Sequence, residues 1–592
     1  MDSPVPLAAS WVVYAGLCGV LWLVGLATVR WLRSREDSDT ASTATAWYVL
    51  TLALCTAALP ALDVYLVSAT TDPTTGLKYA WATPAVVNQL VTTVAYAHGG
   101  LLATMALALF VLVPFVYFYY EEDDAETSAG SRLAAAVKYT LFTALIALVV
   151  LATGFIFQAR RADPDAPDWF RRLLTETALT RAALFGYGTL VLLGTVGYVF
   201  YTSLGLSLVP LNLTRVQPSP AARHNIHRTE RELEINRQMQ RTLARRYENV
   251  RVPVSARDRK LLEEFRKHEA ALLVELEACR RASRRSLLFP CSGSACMEAV
   301  CRPVRVLLGC VLIAVSWAVV LSVALNALAQ IRHSVCGADC GYYFDQALLA
   351  NPVAVVLVRL ADLSPADVGG LLGLSGLLTL CTLVALVYRG VGLLGLWQFY
   401  PLTPGGTAPQ ALLHFASAAA LAVPALNHHL ATHIAPQYLA YGSQRFCNAT
   451  TLPPVEFIMT STTPFTVSLP DCGDQPDLIV PCDVRAPHHL CTPTALSTLA
   501  HSLGANFPTL GDALFYAQLV FLVFYILGFA VFLVKACHGT LSIADTPSAT
   551  AAEANREDDE LRAEAQVASP ARYRYSTAST SSSGERRPLL TA

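Results

Sequence analysis

Nine stretches of this chain are apolar over the roughly 20 residues that a helix needs to cross a bilayer core of about 30 Å. They run approximately from Ala8 to Val29, Ala46 to Ala69, Ala95 to Phe118, Tyr139 to Phe157, Ala182 to Val209, Val306 to Leu328, Val368 to Tyr388, Ala411 to Ala431 and Ala513 to Lys535. Hydrocarbon offers a backbone amide no partner outside its own helix, so runs of this length are expected as membrane-spanning helices. Composition agrees, because 54% of the 592 residues are hydrophobic and only 15% are charged, far from the balance of a soluble domain. The expected fold is an all-α polytopic membrane protein with about nine transmembrane helices, a cytosolic helical hairpin and a disulfide-containing lumenal loop.

The same pattern divides the chain. Residues 1–213 hold transmembrane helices 1 to 5, 214–305 a cytosolic helical hairpin loop, 306–431 helices 6 to 8, 432–512 a lumenal loop with cysteines, 513–535 helix 9, and 536–592 a disordered cytosolic tail. A tenth apolar run, Ala347 to Leu363, is interrupted by Pro352, Arg359 and Asp362 and reads as an interfacial or re-entrant helix.

Orientation follows from the basic residues. With the amino terminus outside, 33 of the 43 Lys and Arg fall on the cytosolic side, although long loops count weakly toward that rule and the short 158–181 segment carries five arginines outside. No basic residue precedes the first span and "RWLRSRE" follows it, as in a signal anchor with a translocated amino terminus. An odd number of spans then leaves the carboxyl terminus cytosolic. The loop expected to be lumenal holds a glycosylation sequon at Asn448 together with Cys447, Cys472, Cys482 and Cys491, and Cys336 and Cys340 precede it, an even set suited to disulfides of open pairing. A second sequon at Asn212 falls on the cytosolic side.

Within 214–305, two helices are expected: Ile226 to Tyr247 with Leu233, Met239 and Leu243 on one face, and Ala256 to Cys279 with Leu261, Phe265, Leu272 and Leu276. Pro253 separates them, which makes an antiparallel hairpin the natural outcome, able also to dock a partner. Arg280, Arg281, Arg284 and Arg285 suit anionic headgroups, and nothing supports nucleic acid. Cys291, Cys296 and Cys301 lack the paired spacing of a zinc site.

No nucleotide-binding GxxxxGK[ST] loop, HExxH zinc motif or GxSxG elbow occurs, so the expectation is a non-enzyme with no catalytic residues, no resident metal and no permanently bound cofactor. The chemical candidates are ionisable groups in or beside spans: Asp63 after the helix-bending Pro60, His98, and the trio His428, His429 and His433 at the outer end of the eighth span. The trio reads foremost as imidazoles wetted at the membrane surface, with metal ligation or pH sensing as the competing reading. Asp63 divides evenly between a packing hydrogen bond and a pathway role.

Five motifs then resemble one family. "PFVYFYYEEDD" (114–124), "VPLNL" (209–213), "SARDRKLLEEF" (255–265), "APQALL" (408–413) and "APQYLAYGSQ" (435–444) are similar, in order and spacing, to the limb-region membrane protein family, in particular its cobalamin-transport branch. The resemblance runs from the first span to the ninth. It implies nine spans, a lysosomal membrane, cobalamin (vitamin B12) as cargo moved from lysosome to cytosol, and a partner ABC transporter of subfamily D that the chain either escorts or supplements as a carrier. The missing nucleotide loop and the large hairpin lean toward escort; homodimer formation stays open. The alternatives are an endocytic lipocalin-type receptor or a signalling scaffold. The chain departs from the family in its alanine richness, its single usable lumenal sequon and a tail beyond Thr540 without counterpart. That tail ends in "ERRPLL", whose Glu585, Leu589 and Leu590 have the spacing of an acidic dileucine signal read by clathrin adaptors.

Overall fold

The computed structural model describes residues 7–34, 39–121, 129–156, 177–214, 295–334, 351–363, 368–393, 397–400, 402–448, 478–483 and 491–537, with short pieces of the segments between them that include 231–241 and 265–276. Glu585, Leu589 and Leu590, and also Cys336, Cys340 and Cys472, lie outside the described residues.

Nine helices among the described residues are long and apolar enough to cross a membrane. The first two are α1 (Leu7–Leu32) and α2 (Thr40–Ser68). The third joins α3 (Pro84–Leu107) through a π-helical turn (Ala108–Leu112) to α4 (Val113–Glu121), and α5 (Ala129–Ile156) is the fourth. The fifth joins α6 (Ala178–Gly197) through a second π-turn (Tyr198–Thr202) to α7 (Ser203–Thr214). Then come α8 (Ala295–His333), the short α9 (Pro352–Leu363) and α10 (Val368–Arg389). The eighth span is α11 (Pro409–His429) with a third π-turn (Leu430–Ile434). After it stand α12 (Pro436–Tyr441), α13 (Ala495–Asn506) and the ninth span, α14 (Pro508–Cys537). Two small antiparallel ribbons interrupt the helices: β1 (Val391–Leu393) with β2 (Trp397–Tyr400), and β3 (Arg445–Cys447) with β4 (Ile479–Pro481).

Several helices outrun the apolar runs that announce them. The third begins at Pro84 rather than near Ala95, because proline suits a first helical turn and polar residues can continue a helix once it is nucleated. The sixth begins at Ala295, inside the segment read as loop. The tenth apolar run becomes α9, whose 12 residues reach about 18 Å and so cannot cross the core.

Prolines inside spans leave carbonyls without their usual donor, and neighbouring spans supply one. Pro60 removes the amide that Thr56 O would accept, and Asn427 Nδ2 of α11 donates to that carbonyl at 2.8 Å. Pro210 does the same to Leu206 O, which takes Ser316 Oγ of α8 at 3.0 Å. Pro114 frees Phe110 O, and Thr143 Oγ1 of α5 donates to it at 2.9 Å. Each kink is therefore also a lock between two helices, as a medium without water requires.

Close packing does the rest. A Cβ on Gly194 would lie 1.9 Å from Leu421 O, and one on Gly205 would lie 2.0 Å from Cys381 O, so α6 packs on α11 and α7 on α10 backbone to backbone. The result is layered burial: 89% of the central window of α2 is buried inside the protein, against 11% for α1 and for α5.

The helix ends sort into two groups. At one end Gly405 N donates to Trp31 O and Thr407 N to Leu32 O, joining α1 to the segment before α11. The opposite end carries α12, α13, both strands of the second ribbon and the disulfide Cys482–Cys491. Cys447 is disulfide-bonded as well. Asn448 follows β3 directly, its amide donating to Leu478 O at 3.0 Å.

The hairpin expected in 214–305 is visible where it is described. Leu233 packs with Leu272 and Leu276, Arg237 Nε bonds Glu269 Oε1 at 2.7 Å, and Gln240 Nε2 bonds Phe265 O at 3.3 Å. Rising numbers on one segment meet falling numbers on the other, which makes the pair antiparallel. Met239 is a correction: it is 55% exposed, because the inner face at that level is taken by Asn236 and Gln240.

Candidate functional site

Span 8 reads "VPALNHHLATHI" before it meets α12. Its last turn is π-helical, with Ala435 N donating back to Leu430 O at 3.1 Å, a geometry that often marks functional positions. Carbonyls loosened there are taken by amide side chains: Asn326 Nδ2 of α8 donates to Thr432 O at 2.9 Å, and Asn351 Nδ2, just before α9, donates to Ile434 O at 2.8 Å.

The three histidines of this stretch are not wetted at a surface, which corrects the reading from sequence. His428, His429 and His433 are exposed by 3, 0 and 4%. Residues far along the chain cover them. Tyr187 Oη lies 3.3 Å from His428 Nδ1, and Thr195 Oγ1 lies 3.1 Å from His429 Nε2. The ring of Tyr198, at the π-turn of span 5, stacks between His429 at 4.4 Å and Phe521 of α14 at 4.8 Å. His429 and His433 have ring centroids 5.1 Å apart.

Beside this cluster sits α13, and Asp63 holds it there. Asp63, buried in α2 three residues after Pro60, accepts from Ala495 N at 3.3 Å and Leu496 N at 2.9 Å, residues 432 and 433 positions away. A carboxylate at a helix amino terminus satisfies free amides and meets the positive end of the helix dipole. His98 Nε2 of α3 lies 3.4 Å from the same carboxylate. Asp63 and His98 thus come together at the amino terminus of α13. The packing reading of Asp63 is the one the geometry displays. Nearly two turns into α13, the partly buried His501 has its Nδ1 2.7 Å from Ser497 O, and desolvation pushes its imidazole below the ordinary value.

"APQYLAYGSQ" builds the platform under α13. Thr494 Oγ1 donates to Leu439 O at 2.7 Å, and Gln444 both accepts from Thr492 N at 3.0 Å and donates to Thr492 O at 2.8 Å. Gly442 has φ +59°, and a Cβ there would lie 2.0 Å from Ser68 Oγ, so only glycine lets the motif close on the end of α2.

Several buried polar atoms of the span interior have no hydrogen-bond partner: His429 Nδ1, both ring nitrogens of His433, Asn427 Oδ1, Gln518 Oε1 and Tyr525 Oη. Gln518 does bond Gln330 through its amide at 2.7 Å. Such atoms are costly in a dry interior and mark where water or a ligand would be held. Among the described residues, no three His, Cys, Asp or Glu side chains gather in a way that could hold a metal ion. Sequence reasoning passed over Asn326, Gln330, Asn427, Gln518 and Tyr198; amides within otherwise apolar spans were the available signal, since hydrocarbon tolerates them only when paired.

No protein-family model matches the chain, and no solved structure matches it. Curated relatives do. A protein of Sclerotinia sclerotiorum named "Probable lysosomal cobalamin transporter" is 32% identical over 573 residues, covering 94% of this chain and 92% of its own length. Proteins of the same name from Aspergillus clavatus (32% identical; 87 and 91% covered) and Neurospora crassa (31%; 89 and 87%) are similar to it in the same way.

Proposed function

Because this chain belongs to the family of probable lysosomal cobalamin transporters, we propose that it serves export of cobalamin from the lysosome to the cytosol. The observation that carries the reading is similarity over 94% of the chain. The end with α12, α13 and the disulfide faces the lumen, where an oxidising, translocated environment suits cystine and a glycan on Asn448. The hairpin and both basic flanks of the spans face the cytosol. Glu585, Leu589 and Leu590 supply the sorting signal for a clathrin adaptor.

The chain acts as escort to an ABC transporter of subfamily D rather than as a lone carrier. Supporting this, no nucleotide-binding loop occurs in the sequence, and the large cytosolic hairpin offers a surface on which a partner can dock. The test is disruption of the gene in cells fed lysosome-delivered cobalamin. Cobalamin accumulates in lysosomes, wild-type chain restores cytosolic conversion, and Leu589→Ala/Leu590→Ala restores it poorly because the protein collects at the cell surface. Normal cytosolic conversion in the disrupted cells contradicts the export role, and unchanged lysosomal delivery of the double variant removes the dileucine signal.

A further inference from the structure

We infer that His428, His429, His433 and His501 form a proton-binding site whose filling from the α13 end releases α13 from the spans. It rests on the lysosomal reading for its proton source.

The three imidazoles of span 8 lie beside a helix of only 12 residues, which packs on the π-turn that carries His433 and itself carries His501. The groups that touch the three of span 8 are hydroxyls, aromatic rings and one another: Tyr187, Thr195, Tyr198 and the neighbouring imidazoles. The elements packed on α13 bring the following further charged or titratable groups to this end: Asp63 from α2, His98 from α3, Arg181 from α6, Tyr438 and Tyr441 from α12, and Asp512 from α14. Asp63 is already engaged by the two α13 amides and lies beside His98.

A neutral imidazole can be stacked in such a place. A protonated one sets a charge in a dry interior with another imidazole about one ring away, and only water or separation relieves it. The orphaned nitrogens of His429 and His433 act in the same direction, because they gain partners when α13 lifts and water enters.

Burial holds His501 below its ordinary value in the docked arrangement. The docked form therefore binds fewer protons than the released form. Docking keeps its full strength above the ordinary imidazole value and weakens as pH falls below it, until the docked value is reached. Taking that ordinary value as about 6.5, each imidazole protonated only on release raises the opening equilibrium by up to about 30-fold at about pH 5 relative to about pH 7.4.

Hydrogen exchange of the peptides covering Ala495–Asn506, measured on the full chain in lipid nanodiscs at those two pH values and corrected for intrinsic exchange, reads the opening directly. The wild-type chain shows a clear rise on acidification, up to about 30-fold for each imidazole that is protonated only on release, and His433→Gln/His501→Gln flattens it. Equal protection at both pH values in the wild-type chain overturns the inference, as does an undiminished rise in the double variant. Should the double variant not fold, His501→Gln alone removes one such factor, and a full rise there overturns the inference equally. His414→Gln, at the opposite end of the same span, keeps the full rise; its loss shows that the response belongs elsewhere. No cobalamin is present, so failure of the cargo assignment leaves this readout intact, and failure here leaves the gene-disruption result standing.

Discussion

Span 8 and span 1 look alike as stretches of apolar sequence, yet they belong to different environments. Span 1 has 11% of its apolar window buried and meets the rest of the protein mainly along α2, whereas span 8 has 67% buried and places Asn427, His428, His429 and His433 in contacts inside the bundle. The three spans of lowest mean hydropathy, the second, fifth and eighth, are among the four most buried. Lipid selects for uniform apolarity, while a protein neighbour tolerates polar groups that it can pair. Polarity within a span is therefore a marker of its place in the bundle and of where chemistry can sit.

The sharpest way to break this comparison is to put the same side chain on both kinds of helix. Gly205→Val forces α7 off the Cys381 carbonyl and is expected to cost about 3 kcal/mol. Gly16→Val in α1, with no neighbouring atom within 4 Å, is expected to stay within about 0.5 kcal/mol. Thermal melting in nanodiscs checks both, and equal melting temperatures would end the distinction.

A smaller effect separates the polar layer from ordinary packing. Asp63→Leu strands the Ala495 and Leu496 amides and is expected to cost about 2 kcal/mol, read as faster hydrogen exchange in α13. Asp63→Asn keeps an acceptor and loses less. If the leucine variant protects α13 as well as the wild type, Asp63 is not its anchor.

How much of this was legible beforehand depends on what each residue needed to meet. The spans, the short α9 and the antiparallel hairpin rest on local patterns, apolar length and spacings of three and four, and those patterns held. The surroundings of His428 to His433 do not rest on local pattern: α6, α8 and α13 pack on this stretch from far along the chain. Asp63 was visible as a costly carboxylate in a span, but its partners lie 432 and 433 residues later. Pro60 announced a bend without saying that Asn427 would cap the carbonyl it freed. Met239 fitted the helical spacing and still faces outward, since its neighbours Asn236 and Gln240 reach the Phe265 carbonyl.

The smallest expected effect lies in the hairpin, where water screens what lipid does not. The hydrogen bond from Arg237 holds the Glu269 carboxyl below its ordinary range, near 4.5. Its stabilisation is thus complete above that value and is lost as pH falls through the lowered one. Glu269→Gln is expected to cost about 0.5 kcal/mol at neutral pH and nothing once the wild-type carboxyl is protonated. Exchange protection of residues 231–241 followed against pH checks this; a variant effect that grows in acid would reverse the assignment.

The central claim is that this chain serves cobalamin export through a partner. It is tested most directly by cobalamin flux in liposomes holding the purified chain with, and without, an ABC transporter of subfamily D. ATP-dependent flux in the joint preparation and none from the chain alone is the result expected. Flux from the chain alone would contradict the escort role, and a joint preparation no faster than the ABC transporter by itself would contradict any part in export.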